Sequence, residues 1–181
     1  ACKLLLNICR LPANIKITLT KNIPAGSGLG SASSDAAAAL LGLNRFLNLA
    51  VKRRQLNAIA AKLGSDVPFF LDGPLALCTG KGEKVKKLAE NFNLLLLLIL
   101  PNVSVSTKKA YAYYAHDATT YKQLSARINN YIQKNKIDLV LKMCTNMLEK
   151  TCFNLYKELA ELKVRIELLG IRPLCLSGSG S

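Results

Sequence analysis

Tryptophan is absent, and the aromatic residues make up only 6% of the 181 residues. A nucleic-acid platform built on stacked aromatic rings has little to stand on here. A single histidine, His116, is present. With no G-x-S-x-G elbow beside it, a Ser-His-Asp hydrolase is disfavoured. No C-x-x-C pair occurs among the six cysteines, Cys2, Cys9, Cys78, Cys144, Cys152 and Cys175. Zinc sites draw on several Cys or His at close spacing, so a metal-thiolate centre is disfavoured and no protein metal ligands are assigned. Cysteines scattered through apolar stretches read as reduced core residues of a cytoplasmic chain. Acidic residues are scarce too: 11 Asp and Glu face 25 Lys and Arg, a formal charge of +14. That charge suits nucleic acid, a membrane surface or a phosphorylated metabolite. The cations are dispersed, however, apart from Lys52-Arg53-Arg54 and Lys84 to Lys87. A clustered stripe is the expected footprint of nucleic acid, so no nucleic-acid partner is expected. The longest apolar run, Leu94 to Leu100, is too short to span a bilayer, and no signal peptide is visible.

Half of the residues are hydrophobic, enough for one good core or two small lobes. Residues 13–24, ANIKITLTKNIP, alternate Ile15, Ile17 and Leu19 with polar positions, the pattern of a strand with one wet face. A glycine loop follows, then a helix over 36–46 with Ser33, Ser34 or Asp35 at its N-cap. Asp35 is assigned to the helix start, where negative charge suits the dipole. Residues 53–63 predict a second helix with Leu56, Ile59, Ala60 and Leu63 on one face and Gly64 just past its end. VPFFL and LALCTG read as strands around the turn Asp72-Gly73-Pro74. Leu94 to Leu100 read as a buried strand, and helices are expected from 106–115, 124–133, 137–150 and 154–168. RPLCLS reads as a short strand entering a last glycine-serine turn. The boundary between lobes is expected near Glu90, giving lobes over 1–90 and 91–181.

The loop before the first long helix carries the clearest chemistry. A helix N-terminus holds unpaired N–H groups and about half a positive charge. Glycine removes the side chains that would keep an anion away from them. Gly26, Gly28 and Gly30 therefore suggest a phosphate cradle, with Ser31, Ser33 and Ser34 as added hydroxyl donors. A tight turn that merely needs glycine is the plainer alternative. The Walker pattern is excluded because no Lys follows Gly30, and the Rossmann spacing fails at Ser31.

PAGSGLGSASSDAAAALLGLNRF resembles the ATP-binding motif of the GHMP kinases, the small-molecule kinases of sugars, homoserine and mevalonate derivatives. LGSDVPFFLDGPLALCTGKGE resembles the block that carries their catalytic aspartate. VSTKKAY and the closing LCLSGSGS match further blocks in outline. The resemblance implies an α+β fold of two lobes, ribosomal-S5-like and then ferredoxin-like. It implies ATP with Mg2+ as cofactors, bound along Pro24, Ala25, Gly26, Ser27, Gly28, Leu29, Gly30, Ser31, Ala32, Ser33 and Ser34. Asp66 would be the catalytic carboxylate; without the resemblance it reads as a turn residue, with Asp72 as its rival. Thr107 and Tyr111 would line the substrate cleft. The expected reaction is phosphorylation of an alcohol on a cytidine-diphosphate-linked polyol of the non-mevalonate isoprenoid pathway. A homoserine- or mevalonate-type kinase, or a silent basic binding module on the same scaffold, are the alternatives. The family's lysine beside the catalytic aspartate finds no match before Lys21, and Met147 stands where an acidic residue usually follows the Asn of NMLE. The chain is accordingly expected to be a fragment lacking both ends of the family domain, with its own activity in question.

Overall fold

The computed structural model describes residues 1–24, 26–88 and 95–180. Its elements run α1 (Cys2–Cys9), α2 (Ser31–Phe46), α3 (Arg53–Leu63), α4 (Val67–Asp72), β1 (Ala76–Thr79), β2 (Lys84–Lys87), α5 (Thr107–Ala112), α6 (Ala118–Gln133), α7 (Ile137–Met143), α8 (Glu149–Leu155) and α9 (Lys157–Leu168). The mixture is α+β and dominated by helix. Two compact units divide it: Ala1–Ala25 with Gly30–Leu98, and Gly26–Leu29 with Ile99–Ser181. Glu90, where the lobe boundary is expected, lies outside the described residues.

In the first unit, α2 packs against α1, α3 and α4, and α4 against the hairpin of β1 and β2. Leu5, Leu40, Leu56, Ala60 and Val67 meet in its core. The alternation of α3 holds: Leu56, Ile59 and Ala60 are buried, and Lys52 N–H donates to Gln55 Oε1 across its first turn. Gly64 closes that helix in extended rather than left-handed backbone. Leu40 is fully buried at the middle of α2. Leu40→Ala is expected to destabilise the chain by about 2–5 kcal/mol, read from the midpoint of urea unfolding.

Several expectations change. VPFFL is helical: α4 carries Pro68 in its first turn, where proline needs no N–H partner, and buries Val67, Pro68 and Leu71. A short apolar run does not by itself distinguish strand from helix. LALCTG does hold a strand, β1, which pairs antiparallel with β2 from Ala76↔Lys87 to Thr79↔Lys84. The helix expected over 36–46 begins at Ser31, capped by Gly30, so none of Ser33, Ser34 or Asp35 is its cap. Residues 13–24 form no strand, and Ile17, Leu19 and Ile23 are exposed. Of the apolar run, Leu94 lies outside the described residues; Leu95 to Leu100 are irregular and exposed. Alternation or apolarity sets which faces a strand would bury, but a strand exists only where a neighbour pairs its backbone. Among the described residues neither segment has one.

In the second unit α6 packs on α7, α8 on α9 and α5 on α8, around Val105, Ala110, Cys152 and Leu159. Asp117 caps α6, accepting from Thr120 N–H at 2.9 Å and from its hydroxyl at 2.7 Å. Those backbone and side-chain hydrogen bonds from Thr120 hold the Asp117 carboxyl below its ordinary range. The single helix expected over 137–150 is two: Cys144 takes a left-handed backbone (φ 40°, ψ 62°) and the chain turns before α8. The helix expected over 154–168 is also interrupted, with α8 ending at Leu155 and α9 beginning at Lys157. Residues 171–176 form no strand. The cysteines are all free: Cys152 is buried, Cys2 and Cys9 pack partly buried against the first core, and Cys78 is exposed, so the core reading holds for some of them and fails at Cys78.

Candidate functional site

The glycine loop opens with Pro24, which is exposed; Ala25 lies outside the described residues. Gly26, Gly28 and Gly30 all hold positive φ, at 75°, 70° and 68°. At Gly28 the requirement is double. The backbone is left-handed, and an added Cβ would lie 2.3 Å from the Ser177 carbonyl oxygen. That carbonyl belongs to the second glycine turn, Ser177 to Gly180, whose own Gly178 would place a Cβ 3.2 Å from Gly28 Cα. Ser177 Oγ donates to the Gly28 carbonyl at 2.9 Å. The first and last glycine motifs, nearly 150 positions apart in sequence, are thus pressed backbone to backbone. Gly28 is spared a side chain for this approach, a reason distinct from both the bare turn and the phosphate cradle. Leu29 completes the four-residue piece of loop that belongs to this unit.

Ser27 stands between Gly26 and Gly28 in the loop. Its Oγ is buried and meets no hydrogen-bond partner among the described residues. A buried hydroxyl without a partner is costly and marks a place where a polar group from outside would be welcome. A phosphate oxygen at the loop would supply that acceptor.

The second glycine turn is held from several sides. Asn146 Nδ2 donates to the carbonyls of Leu176 at 2.8 Å and Gly178 at 2.7 Å, while its Oδ1 accepts from Leu148 N–H at 2.9 Å. Glu149 Oε2 accepts from Leu176 N–H at 3.2 Å, and Lys163 pairs with the other oxygen of that carboxylate. Cys152 Sγ donates to the Ser179 carbonyl at 3.1 Å. Thr107, expected at the substrate cleft, has its hydroxyl 2.8 Å from that of Ser179. Tyr111, one turn along α5, is exposed. Asn146→Ala would strip two carbonyls of their donor. We expect a loss of about 1–3 kcal/mol and faster amide exchange at Gly178 and Gly180, read by hydrogen-exchange mass spectrometry.

In the other unit Gly30 begins α2 directly beneath Phe70, whose ring would lie 2.6 Å from an added Cβ. Ser31 is buried, and Ala32 faces solvent. Ser34 donates its hydroxyl to the Ser31 carbonyl at 2.9 Å, so its one O–H is already committed within the helix. Ser33 is half-buried. Lys21 crosses this first turn, donating to Ser31 Oγ at 3.1 Å and to Asp35 Oδ2 at 2.6 Å. Asp35 therefore serves Lys21 from the second turn of α2 rather than the helix start.

The two candidate carboxylates part clearly. Asp72, at the end of α4, accepts from Asn57 Nδ2 at 2.7 Å and lies 3.8 Å from Arg53 Nε. It ties α4 to α3. Asp66 stands before α4 and is exposed; its side chain makes no hydrogen bond or ion pair among the described residues. Gly82 of the hairpin turn passes close, where a Cβ would sit 3.6 Å from Asp66 Oδ1. The same turn is braced by Glu83, whose Oε2 accepts from Lys81 N–H at 2.7 Å. The backbone N–H groups of Glu83 itself and of Lys81 hold the Glu83 carboxyl below its ordinary range. Partial burial, then the Asp66 charge, pushes the Cys78 thiol up. A carboxylate left free at the start of a helix, one turn from the phenyl ring that covers Gly30, can accept a proton or orient a hydroxyl.

Residues 1–74 match the GHMP kinases N terminal domain. The matched stretch includes the glycine loop that leads into α2. Its sequence is 34% identical over 180 residues to the 4-diphosphocytidyl-2-C-methyl-D-erythritol kinase of Clostridium botulinum (strain Eklund 17B / Type B), covering 99% of this chain and 64% of that protein. It is 34% identical over 183 residues to the enzyme of that name in Bacillus subtilis (strain 168), covering 99% and 62%. The enzyme of that name in Prochlorococcus marinus (strain MIT 9215) is 41% identical over 141 residues, covering 73% and 45%. The chain thus spans less than two thirds of the length of these relatives.

Proposed function

We propose that this chain is the nucleotide-binding core of an ATP-dependent kinase. Its acceptor is the 2-hydroxyl of 4-diphosphocytidyl-2-C-methyl-D-erythritol, an intermediate of non-mevalonate isoprenoid synthesis in the cytoplasm. The observation that carries the reading is the buried, unpartnered Ser27 hydroxyl in a loop of left-handed glycines, with a second glycine turn packed against it. The acceptor is taken from the names of the relatives, which span nearly the whole chain.

Phosphoryl transfer asks the protein chiefly for positioning and charge stabilisation. The stretch from Pro24 to Ser34 would hold the triphosphate: Ser27 through its hydroxyl, the glycines through backbone N–H, and Ser31 and Ser33 at the α2 N-terminus. Asp66 would accept the acceptor hydroxyl's proton or orient it, and its lack of other partners leaves it available. Thr107 and Tyr111 would bound the acceptor, Thr107 in contact with the second glycine turn. The described residues hold no cluster of three or more His, Cys, Asp or Glu. An accompanying Mg2+ would draw its oxygens mainly from the nucleotide phosphates, offsetting their charge. Lobes over 1–90 and 91–181, ribosomal-S5-like and ferredoxin-like, complete the reading. Among the described residues no helix is long and apolar enough to cross a membrane.

Calorimetric titration with ATP, followed by transfer from γ-labelled ATP to this acceptor, tests it. Binding of ATP with labelling of the cytidine-linked polyol, and none of homoserine or phosphomevalonate, is the expected result. No heat of binding, or transfer to either competitor instead, would replace it.

A further inference from the structure

Leu176 is gripped at both of its backbone polar groups. Its carbonyl accepts from Asn146 Nδ2 at 2.8 Å, and its N–H donates to Glu149 Oε2 at 3.2 Å. The next residue is Ser177, whose hydroxyl donates to the Gly28 carbonyl at 2.9 Å and whose own carbonyl closes on Gly28. Ser27, with its buried and unpartnered hydroxyl, directly precedes Gly28. All of these residues lie in the second unit. Of the side chains that hold the second glycine turn, Thr107, Asn146, Glu149 and Cys152, Glu149 alone carries a charge. That charge has its own support. Lys163 of α9 pairs with Glu149 Oε1, and the two side chains are only 23% and 20% exposed. Lys163 is itself fixed in place, over the Phe153 ring at 5.4 Å from its centroid and 3.9 Å from Glu167 Oε1.

We propose that Glu149 is a positioning residue for the nucleotide loop, a role that rests on the reading of that loop as the ATP site. Lys163 holds one carboxylate oxygen and so aims the other at Leu176 N–H. With Leu176 fixed at its N–H and its carbonyl, Ser177 is set where its hydroxyl meets Gly28, and the backbone beside Ser27 is held before any ligand arrives. Glu149 itself touches no nucleotide. Its contribution is preorganisation: a loop already ordered does not pay for ordering when it binds. A plain clasp between α8 and α9 is the rival role. The two make different demands on the chemistry. A clasp needs only that the pair be matched, and a buried ion pair replaced by two apolar side chains often leaves stability unchanged. Positioning needs an acceptor for Leu176 N–H, because a backbone donor left without one costs its desolvation and loses its direction.

The test uses the full chain and two double variants that both lack the ion pair. Glu149→Gln with Lys163→Met keeps an amide oxygen for Leu176 N–H; Glu149→Leu with Lys163→Met offers none. Hydrogen-exchange mass spectrometry without nucleotide follows the peptides covering 26–29 and 176–180, and calorimetry follows ATP. The Gln variant is expected within about threefold of the parent in both, and the Leu variant to exchange about tenfold faster at both segments and bind ATP about tenfold more weakly. Equal exchange at 26–29 in the two variants would overturn the proposal and leave Glu149 a clasp. If circular dichroism shows the Leu variant unfolded, Glu149→Gln alone replaces it. Its one amide oxygen cannot serve Lys163 and Leu176 together, so it should exchange faster at 26–29 than the Gln variant that also carries Lys163→Met; equal rates overturn the proposal here too. A parent protein that binds no ATP removes the kinase reading by itself, while exchange at 26–29 still decides whether Glu149 positions the loop.

Discussion

Asp66→Asn is expected to lower the turnover number by roughly two to four powers of ten, the usual cost of losing a general base, while ATP affinity stays within about twofold of the parent. The amide keeps the shape of the carboxylate but cannot take a proton. Nothing in the fold leans on this side chain: it makes no hydrogen bond or ion pair among the described residues. The variant should therefore fold with parental stability. Asp72→Asn is the matched control, with the opposite signature. It keeps a carbonyl for Asn57 but loses the attraction to Arg53, a half-exposed pair worth at most about 1 kcal/mol. Its turnover should be near parental and its unfolding midpoint slightly lower. Steady-state kinetics and calorimetry on both proteins separate the roles. A fully active Asp66→Asn beside a dead Asp72→Asn would reverse the assignment.

Gly28→Val is expected to weaken ATP binding by a factor of about 100 or more, with the cores of both units intact. Two costs add. A β-branched residue in left-handed backbone costs upward of about 1–2 kcal/mol, and each 1.4 kcal/mol is tenfold in affinity. The new Cβ would also meet the Ser177 carbonyl at 2.3 Å, and a backbone atom cannot swing aside as a side-chain tip can. The two turns must part, and Ser27 moves with them. Gly42→Ala in α2 provides the contrast. Its Cβ meets nothing within 4 Å, and alanine favours a helix interior, so this variant should bind ATP normally and gain about 0.5–1 kcal/mol. Calorimetry for binding and circular dichroism for fold read both. Parental affinity in Gly28→Val would remove the loop from the site.

Some local features are legible in the sequence, whereas distant partners are not. α3 was legible to the residue because its apolar spacing and terminal glycine agree. The motif at 24–34 announced itself through glycines that few other contexts require. The strand assigned to VPFFL failed because five apolar residues fit either period; Pro68, placed in the first turn, was the signal that favoured helix. Cys144 gave no sign that it would bend left-handed and split a predicted helix. Asn146 stands 30 and 32 residues from the carbonyls it holds, and Lys21 lies 10 from Ser31 and 14 from Asp35. No periodicity encodes such partners. The motif resemblance named both glycine turns, yet that they touch, and that Gly28 is bare for Ser177, emerges only in three dimensions.

Gly26–Leu29 belongs to the unit formed by the last part of the chain, although the residues on either side of it belong to the other. Severing the polypeptide after Leu98 would therefore not yield two self-sufficient halves. A piece beginning at Ile99 would carry Ser177 and Gly178 without the strip of backbone they close upon, leaving the Ser177 hydroxyl to water instead of the Gly28 carbonyl. Anyone wishing to express that half alone would have to graft four residues, GSGL, back onto it.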